Sequence, residues 1–243
     1  MGEQWIMDTA KKVCAYAIGD IHGRADLLEK LLVKIRADAR KNSQAEPHII
    51  FLGDYIDRGM ESKKVVDLLL DFELKDGTEV YLKGNHEAMM LDFLADPSTG
   101  PLWFENGGLA TLLSYGVQPQ GNFSSKNDLE NIRDQFLTNI PKAHKDFYGN
   151  LVLNYELGNY FFVHAGVNPD RPLDQQTWED MLWIRDEFLE SEKPLEKIVV
   201  HGHSVVLDPV VSENHISVDT GAFFTGKLTC VVLEGEDVRF IST

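Results

Sequence analysis

The chain has 243 residues, 43% of them hydrophobic and 26% charged, so it can bury a core and falls within the range of one globular domain. Lys and Arg number 23 against 39 Asp and Glu, a net charge of −16, which argues against a general electrostatic grip on nucleic acid or on an anionic membrane. No apolar run approaches the roughly 20 residues needed to span a bilayer; the longest, such as Val65–Leu70, are strand-sized and interrupted by a charge.

Met1–Ala10 shows no basic segment followed by an apolar stretch and a cleavage site, and Ile6 stands where a myristoylation signal needs Ser or Thr. The chain therefore reads as soluble and cytoplasmic. The first ninety or so residues repeat one theme, a short apolar strand ending in Gly-Asp or Gly-Asn and then a stretch with helical spacing. Cys14–Ile18 ends at Gly19-Asp20, and Leu27, Leu28, Leu31, Leu32 and Ile35 then line one face of a helix whose other face carries Lys30, Lys34, Arg36 and Asp38. Ile49–Leu52 ends at Gly53-Asp54 ahead of Val65–Leu70, and Val80–Leu82 ends at Gly84-Asn85 ahead of Ala88–Leu94. This alternation predicts an α/β layered sheet.

From Asp96 to Asn150 the pattern changes to helix-like pieces punctuated by Pro and Gly: Leu109–Tyr115, Leu129–Leu137 and the stretch from Pro141 to Tyr148. Leu109, Leu112 and Leu113 read as a core stripe. Strands are expected again over Leu151–Leu157, Tyr160–Val163, Ile198–Val200, Ile216–Val218, Leu228–Leu233 and Val238–Ile241, with a hairpin turn at Glu234–Asp237. Cys14 and Cys230 each fall in a strand-like run and read as buried, reduced thiols. With no repeat or low-complexity linker, residues 1–243 read as one domain with a helical insertion at about 96–150.

Three motifs occur in order: Gly19-Asp20-Ile21-His22-Gly23, Gly53-Asp54-Tyr55-Ile56-Asp57-Arg58-Gly59 and Gly84-Asn85-His86-Glu87. His164 and His203 follow later, each directly after an apolar strand. All five places are points where a strand gives way to a loop, and in open α/β sheets ligands gather outside the carboxyl ends of strands. Taken singly, these Asx residues could be turn formers; together they are a metal-capable set.

These motifs resemble the phosphoprotein phosphatase branch of the calcineurin-like metallophosphoesterases, above all its small bacterial and phage serine/threonine phosphatases, from about Tyr16 to Thr229. The resemblance implies a metallophosphoesterase fold, two β-sheets sandwiched between helices, with a two-metal site at the strand ends. It implies that Asp20 and His22 hold one metal, that Asn85, His164 and His203 hold the other, and that Asp54 bridges them. It also makes Arg58 and Arg185 phosphate clamps, His86 the proton donor and Asp57 the carboxylate that orients it. The implied activity is hydrolysis of phosphomonoesters, in phosphoproteins or small phosphoesters, by in-line attack of a hydroxide held between the ions.

Carboxylate, imidazole and amide oxygen donors without a thiolate suit Mn²⁺, with Fe or Zn²⁺ as the other candidates, better than Ca²⁺ or copper. Two such ions with Arg58 and Arg185, set against Asp20 and Asp54, leave a local positive excess that answers the global −16. The diesterase branch carries Gly-Asn-His-Asp and a Gly-His-x-His ending, whereas this chain has Gly84-Asn85-His86-Glu87 and Gly202-His203-Ser204-Val205. A symmetrical diadenosine tetraphosphate hydrolase is the second reading, and a metal-binding scaffold without catalysis a third. Glu87 reads as a support or helix cap, Arg185 as a clamp or an exposed helical arginine, and His201 as a neighbour of the site or a surface residue.

Overall fold

The computed structural model describes residues 14–41, 46–74, 76–120, 123, 125–235 and 237–243; Met1–Ala10, where no targeting signal was read, lies outside them. The first three strand–helix units are β1 (Cys14–Ile18), α1 (Ala25–Ala39), β2 (Pro47–Phe51), α2 (Ser62–Leu70), β3 (Thr78–Tyr81) and α3 (Asn85–Ala95). β1, β2 and β3 run parallel, as strand–helix–strand connections require. In α1 the buried face is Leu27, Leu28, Leu31, Leu32 and Ile35, the spacing read from the sequence, with Asp26 in the first turn and Arg36 in the last complementing the helix dipole.

The helical stretch follows: α4 (Gly100–Trp103), a π-helical turn over Phe104–Gly108, α5 (Leu109–Ser114), α6 (Lys126–Asn139) and α7 (Lys142–Gly149). Next come β4 (Asn154–Leu157), β5 (Tyr160–Val163), α8 (Trp178–Trp183), α9 (Asp186–Leu189), β6 (Ile198–His201), β7 (Val210–Val211), β8 (His215–Ser217), α10 (Ala222–Thr225), β9 (Thr229–Glu234) and β10 (Asp237–Ser242). One five-stranded sheet has the order β10-β9-β1-β2-β3 and the other β4-β5-β6-β8-β7. Among the described residues no helix is long and apolar enough to cross a membrane.

The two sheets pack face to face. Ala15, Ala17, Ile50, Leu52, Val231 and Leu233 of the first meet Tyr160, Phe162, Val200 and Ile216 of the second. On β1 the alternation puts small Ala15 and Ala17 between the sheets, while Cys14, Tyr16 and Ile18 face the helices. The first sheet's outer face shares one apolar cluster with α1, α2 and the helical stretch, including Trp103, Phe136 and Tyr148. α8 and α9 cover the second sheet's outer face through Met181 and Phe188.

The expected strand over Leu151–Leu157 is shorter: Val152 makes an isolated parallel bridge with Leu82, and β4 begins at Asn154. Of the stripe read as core on α5, Leu112 is buried but Leu113 is 44% exposed, because six residues present too narrow a face to bury it. Cys14 and Cys230 are buried and free; Cys230 pairs with Ile18 in the antiparallel register and Cys14 with Glu234, so the thiols are not opposite each other.

Candidate metal centre

The turns leaving β1, β2, β5 and β6 and the start of α3 meet at one rim, where Asp20, His22, Asp54, Asp57, Asn85, His86, His164 and His203 are all buried. Among the described residues, six non-glycine positions have positive φ, and five are His22 (45°), Asp54 (51°), Asp57 (71°), Arg58 (66°) and His203 (61°). Such backbone is costly for residues with a Cβ and collects where side chains must be aimed. Two glycines make room for the carboxylates: a Cβ at Gly84 would overlap Asp54 Oδ1, and one at Gly202 would overlap Asp20 Oδ1.

Asp54 is the hub. Its Oδ1 accepts the His86 backbone N–H at 3.0 Å, and its Oδ2 lies 3.5 Å from His164 Nε2 and 3.6 Å from His22 Nε2. Burial alone would raise its pKa, but the imidazoles of His164, His86, His22 and His203 outweigh that and hold it below the usual carboxylate range. Glu87 fixes this turn by accepting the backbone N–H groups of Asp54 at 2.9 Å, Tyr55 at 2.8 Å and Gly84 at 3.0 Å. Glu87 thus supports the site and, through the Gly84 N–H at the N-cap, also caps α3, so it fills both roles read for it.

The imidazoles are poised as ligands. Burial lowers the pKa of His22 to about 3 and also lowers those of His164 and His203, so all three are neutral, the ligating form. His22 Nδ1–H donates to Ile56 O at 2.8 Å and His164 Nδ1–H to Leu52 O at 2.9 Å, which leaves each Nε2 unprotonated, that of His22 accepting from Arg58. His164 Nε2 then lies 2.9 Å from Asn85 Oδ1, and His203 Nδ1 3.0 Å from the same oxygen. Two acceptors facing each other beside a carboxylate repel unless a cation satisfies them, and His203 Nε2 is itself buried without a partner. Asp54, His164 and His203 offer atoms within 4.8 Å of one another, as do His22, Asp54 and His86. Both groups share Asp54, and their carboxylate and imidazole donors fit divalent metal ions.

Asp20 Oδ2 lies 4.0 Å from His22 Nε2, and both its oxygens accept the His203 N–H at 3.2 Å. Burial, Asp219 and Asp54 push its pKa well up. Asp219 is a buried carboxyl that the motifs did not reveal; burial raises it to about 6, and its Oδ1 accepts the Gly221 N–H at 2.8 Å.

His86 Nδ1 is 2.7 Å from Asp57 Oδ2. Burial draws the His86 pKa down, but Asp54 and Asp57 outweigh it and raise the value. Asp57, itself raised by burial, also accepts Trp103 Nε1–H at 2.8 Å and the Thr111 hydroxyl at 2.6 Å. Trp103 and Thr111 belong to the helical stretch, and no local motif announces either. Arg58 donates from Nη1 to His22 Nε2 at 2.8 Å and from Nη2 to His86 Nε2 at 3.1 Å. Arg185 occupies the break between α8 and α9, exposed, and Nη1 donates to His203 O and Ser204 Oγ, both at 3.3 Å; it is not on a continuous helix face. His201 is buried rather than on the surface, its Nε2 3.0 Å from His215 Nδ1 and its ring against Phe188.

Two mixed sheets flanked by helices, with this rim of donors at their strand ends, constitute the metallophosphoesterase fold. The chain belongs to the calcineurin-like phosphoesterase family, whose sequence profile matches residues 15–238, and is accordingly a hydrolase. It is 29% identical over 230 residues to the asymmetrical bis(5'-nucleosyl)-tetraphosphatase PrpE of Oceanobacillus iheyensis, covering 87% of this chain and 85% of that protein. It is 28% identical over 225 residues to serine/threonine-protein phosphatase 2 of Salmonella typhimurium, covering 88% and 90%. A solved structure provisionally named a diadenosine tetraphosphatase shares the fold, with a TM-score of 0.63 over 97% of this chain and 96% of that one at 21% identity.

Proposed function

We propose that this chain is a metal-dependent phosphomonoesterase acting on phosphoproteins, a serine/threonine or dual-specificity protein phosphatase. The observation that carries this reading is the buried His86–Asp57 pair, 2.7 Å apart, with His86 Nε2 3.9 Å from Asp54 Oδ2. An alkoxide is a poor leaving group and needs a proton as the P–O bond breaks, which an imidazolium held by a carboxylate supplies near neutral pH. A polyphosphate leaving group is a weak base and needs that help far less.

In this reading Asp20 and His22 hold one ion, Asn85, His164 and His203 the other, and Asp54 both, with Mn²⁺ the first candidate and Fe or Zn²⁺ the alternatives. When bound, two such ions lower the pKa of a shared water and neutralise phosphoryl oxygens. Arg58 and Arg185 grip the phosphate through planar guanidinium forks; as Arg58 turns to the phosphate it releases His86 Nε2, its acceptor in this structure, which takes up a proton and delivers it to the ester oxygen while Asp57 holds the ring through Nδ1. Residues 1–243 act as one cytoplasmic catalytic domain with its helical insertion at about 96–150, a division supported by the apolar cluster that insertion shares with the first sheet. Neither nucleic acid nor membrane is a partner, in keeping with the net charge of −16.

A dinucleotide polyphosphate hydrolase is the second reading, favoured by the name of the Oceanobacillus iheyensis relative. The deciding experiment measures kcat/KM for a phosphoserine/phosphothreonine peptide and for diadenosine tetraphosphate on the same metal-stripped, Mn²⁺-reconstituted protein. A peptide preference above about tenfold, or 1.4 kcal/mol of transition-state stabilisation, is expected. The same margin for the dinucleotide overturns the phosphoprotein reading and leaves the hydrolytic chemistry standing.

A further inference from the structure

Beside the candidate centre, the one-turn helix α10 carries two adjacent exposed aromatic side chains, Phe223 at 39% and Phe224 at 57% exposure. Apolar rings facing water are unfavourable, yet this turn is held stiffly. Gly221 and Gly226 bracket it in left-handed conformation. Arg24 Nη1 donates to Ala222 O at 2.9 Å, Gly221 N–H to Asp219 Oδ1 at 2.8 Å, and the Thr225 hydroxyl to Thr220 O at 2.8 Å. The Phe223 ring stands edge-on to His22, centroids 5.9 Å apart, and to Phe224 at 5.0 Å. The Arg58 guanidinium lies over its face, 5.1 Å from the centroid. A fixed ring at the mouth of a charged site is preorganised for recognition.

We propose that Phe223 is a specificity-determining residue that receives the ring of an aryl phosphate ester, in proteins phosphotyrosine. The inference rests on the phosphoprotein reading, with Arg58 gripping the phosphoryl group. A phosphate in hydrogen-bond contact with a guanidinium seated on Phe223 places its ester substituent beside that ring. A phenyl group there falls in the roughly 4.5–7 Å centroid range that edge-to-face and offset aromatic pairs favour. A serine ester offers only a methylene at that place. In a dinucleotide polyphosphate a ribose, and in symmetrical cleavage a further phosphate as well, separates the nucleobase from the phosphoryl group attacked, so no aromatic ring is attached directly to the ester oxygen.

The test uses two peptides identical except for phosphotyrosine or phosphoserine at the centre, with the Mn²⁺-reconstituted wild type, Phe223→Leu and Phe223→Tyr. A phenol leaves more readily than an alkoxide on any enzyme, so the readout is the tyrosine-to-serine ratio of kcat/KM in each variant divided by the wild-type ratio, in which intrinsic reactivity cancels. The expected result is a ratio lowered about three- to tenfold in Phe223→Leu, carried by KM for the tyrosine peptide and restored in Phe223→Tyr. Equal losses on both peptides overturn the proposal, because Phe223 then only seats Arg58; so does an unchanged ratio. Failure of the underlying reading looks different: the wild type cleaves diadenosine tetraphosphate but neither peptide, and both conclusions fall together.

Discussion

Asp57 has no exposure and spends both oxygens on neighbours, Oδ2 on His86 and Trp103 and Oδ1 on Thr111. A carboxylate so tightly held can fix an imidazole's tautomer and orientation, which is the requirement for a proton donor. His86→Asn should therefore lower kcat by about 10²–10⁴-fold with metal content near that of the wild type; elemental analysis beside steady-state kinetics checks this, and loss of both together would make His86 a structural residue. Trp103→Phe keeps an aromatic side chain but removes the pyrrole ring with its hydrogen bond to Asp57, worth about 1 kcal/mol, and leaves a small cavity in the core. It should cost kcat about three- to tenfold at unchanged metal content. The residues at strand tips were legible in the sequence because each motif is local: Asp20 and His22, Asp54 to Arg58, and Asn85 and His86 each lie within one turn of chain. Trp103 and Thr111 reach Asp57 across 46 and 54 residues, and nothing in their own neighbourhood differs from an ordinary core position. Asp219 was hidden for the same reason, since its proximity to Asp20 exists only once β8 and β1 are in place.

Among elements, the periodic helix α1 and the apolar strands were readable, down to the four-residue β5 (Tyr160–Val163), and the short elements without an apolar run were not. α1 shows its five-residue apolar stripe in the sequence, whereas β7 has two exposed valines, and α9 and α10 have four residues each, too few for a period to emerge. Arg185 depends on such a break: its placement against His203 O comes from the chain turning between α8 and α9. The end of α1 is tied to the last strand by Asp38, which accepts Arg239 Nη1 at 3.0 Å and Nη2 at 2.6 Å and the Tyr16 hydroxyl at 2.7 Å. Burial would raise the Asp38 pKa, but these donors outweigh it and lower it below its ordinary 3.8. A carboxyl depressed in the folded state contributes stability above its unfolded pKa and loses it as pH falls through the folded value. Asp38→Asn should thus cost about 1 kcal/mol near pH 7, after discounting for the part-exposed Arg239, and the gap should close as pH drops below about 4. Urea unfolding of the metal-free pair of proteins across that range is the measurement; a gap that widens toward acid would contradict the assignment.

On the scale of the whole molecule the candidate centre joins two sheets that meet mainly through apolar contact, with the Val152–Leu82 bridge and the Tyr155 hydroxyl, 2.9 Å from His48 Nδ1, as polar links elsewhere. Asp20, His22 and Asp54 leave strands of the first sheet, His164 and His203 leave strands of the second, and Asp54 Oδ2 stands 3.5 Å from His164 Nε2 across that boundary. Without a cation the rim gathers buried carboxylates and facing lone pairs, which oppose the packing that Ala17 and Phe162 promote. A ligand that binds only the folded state stabilises it by mass action, about 2.7 kcal/mol at a hundredfold excess over Kd. In a chain of this size that corresponds to a rise in Tm of roughly 5–10 °C. Adding Mn²⁺ to chelator-stripped protein should therefore raise Tm with concentration, and Asp54→Asn should abolish both the rise and the activity, because it removes the anion shared by both halves of the rim. A wild-type Tm indifferent to Mn²⁺, or an Asp54→Asn protein that still gains stability from it, would mean that the rim does not hold the ions between the sheets.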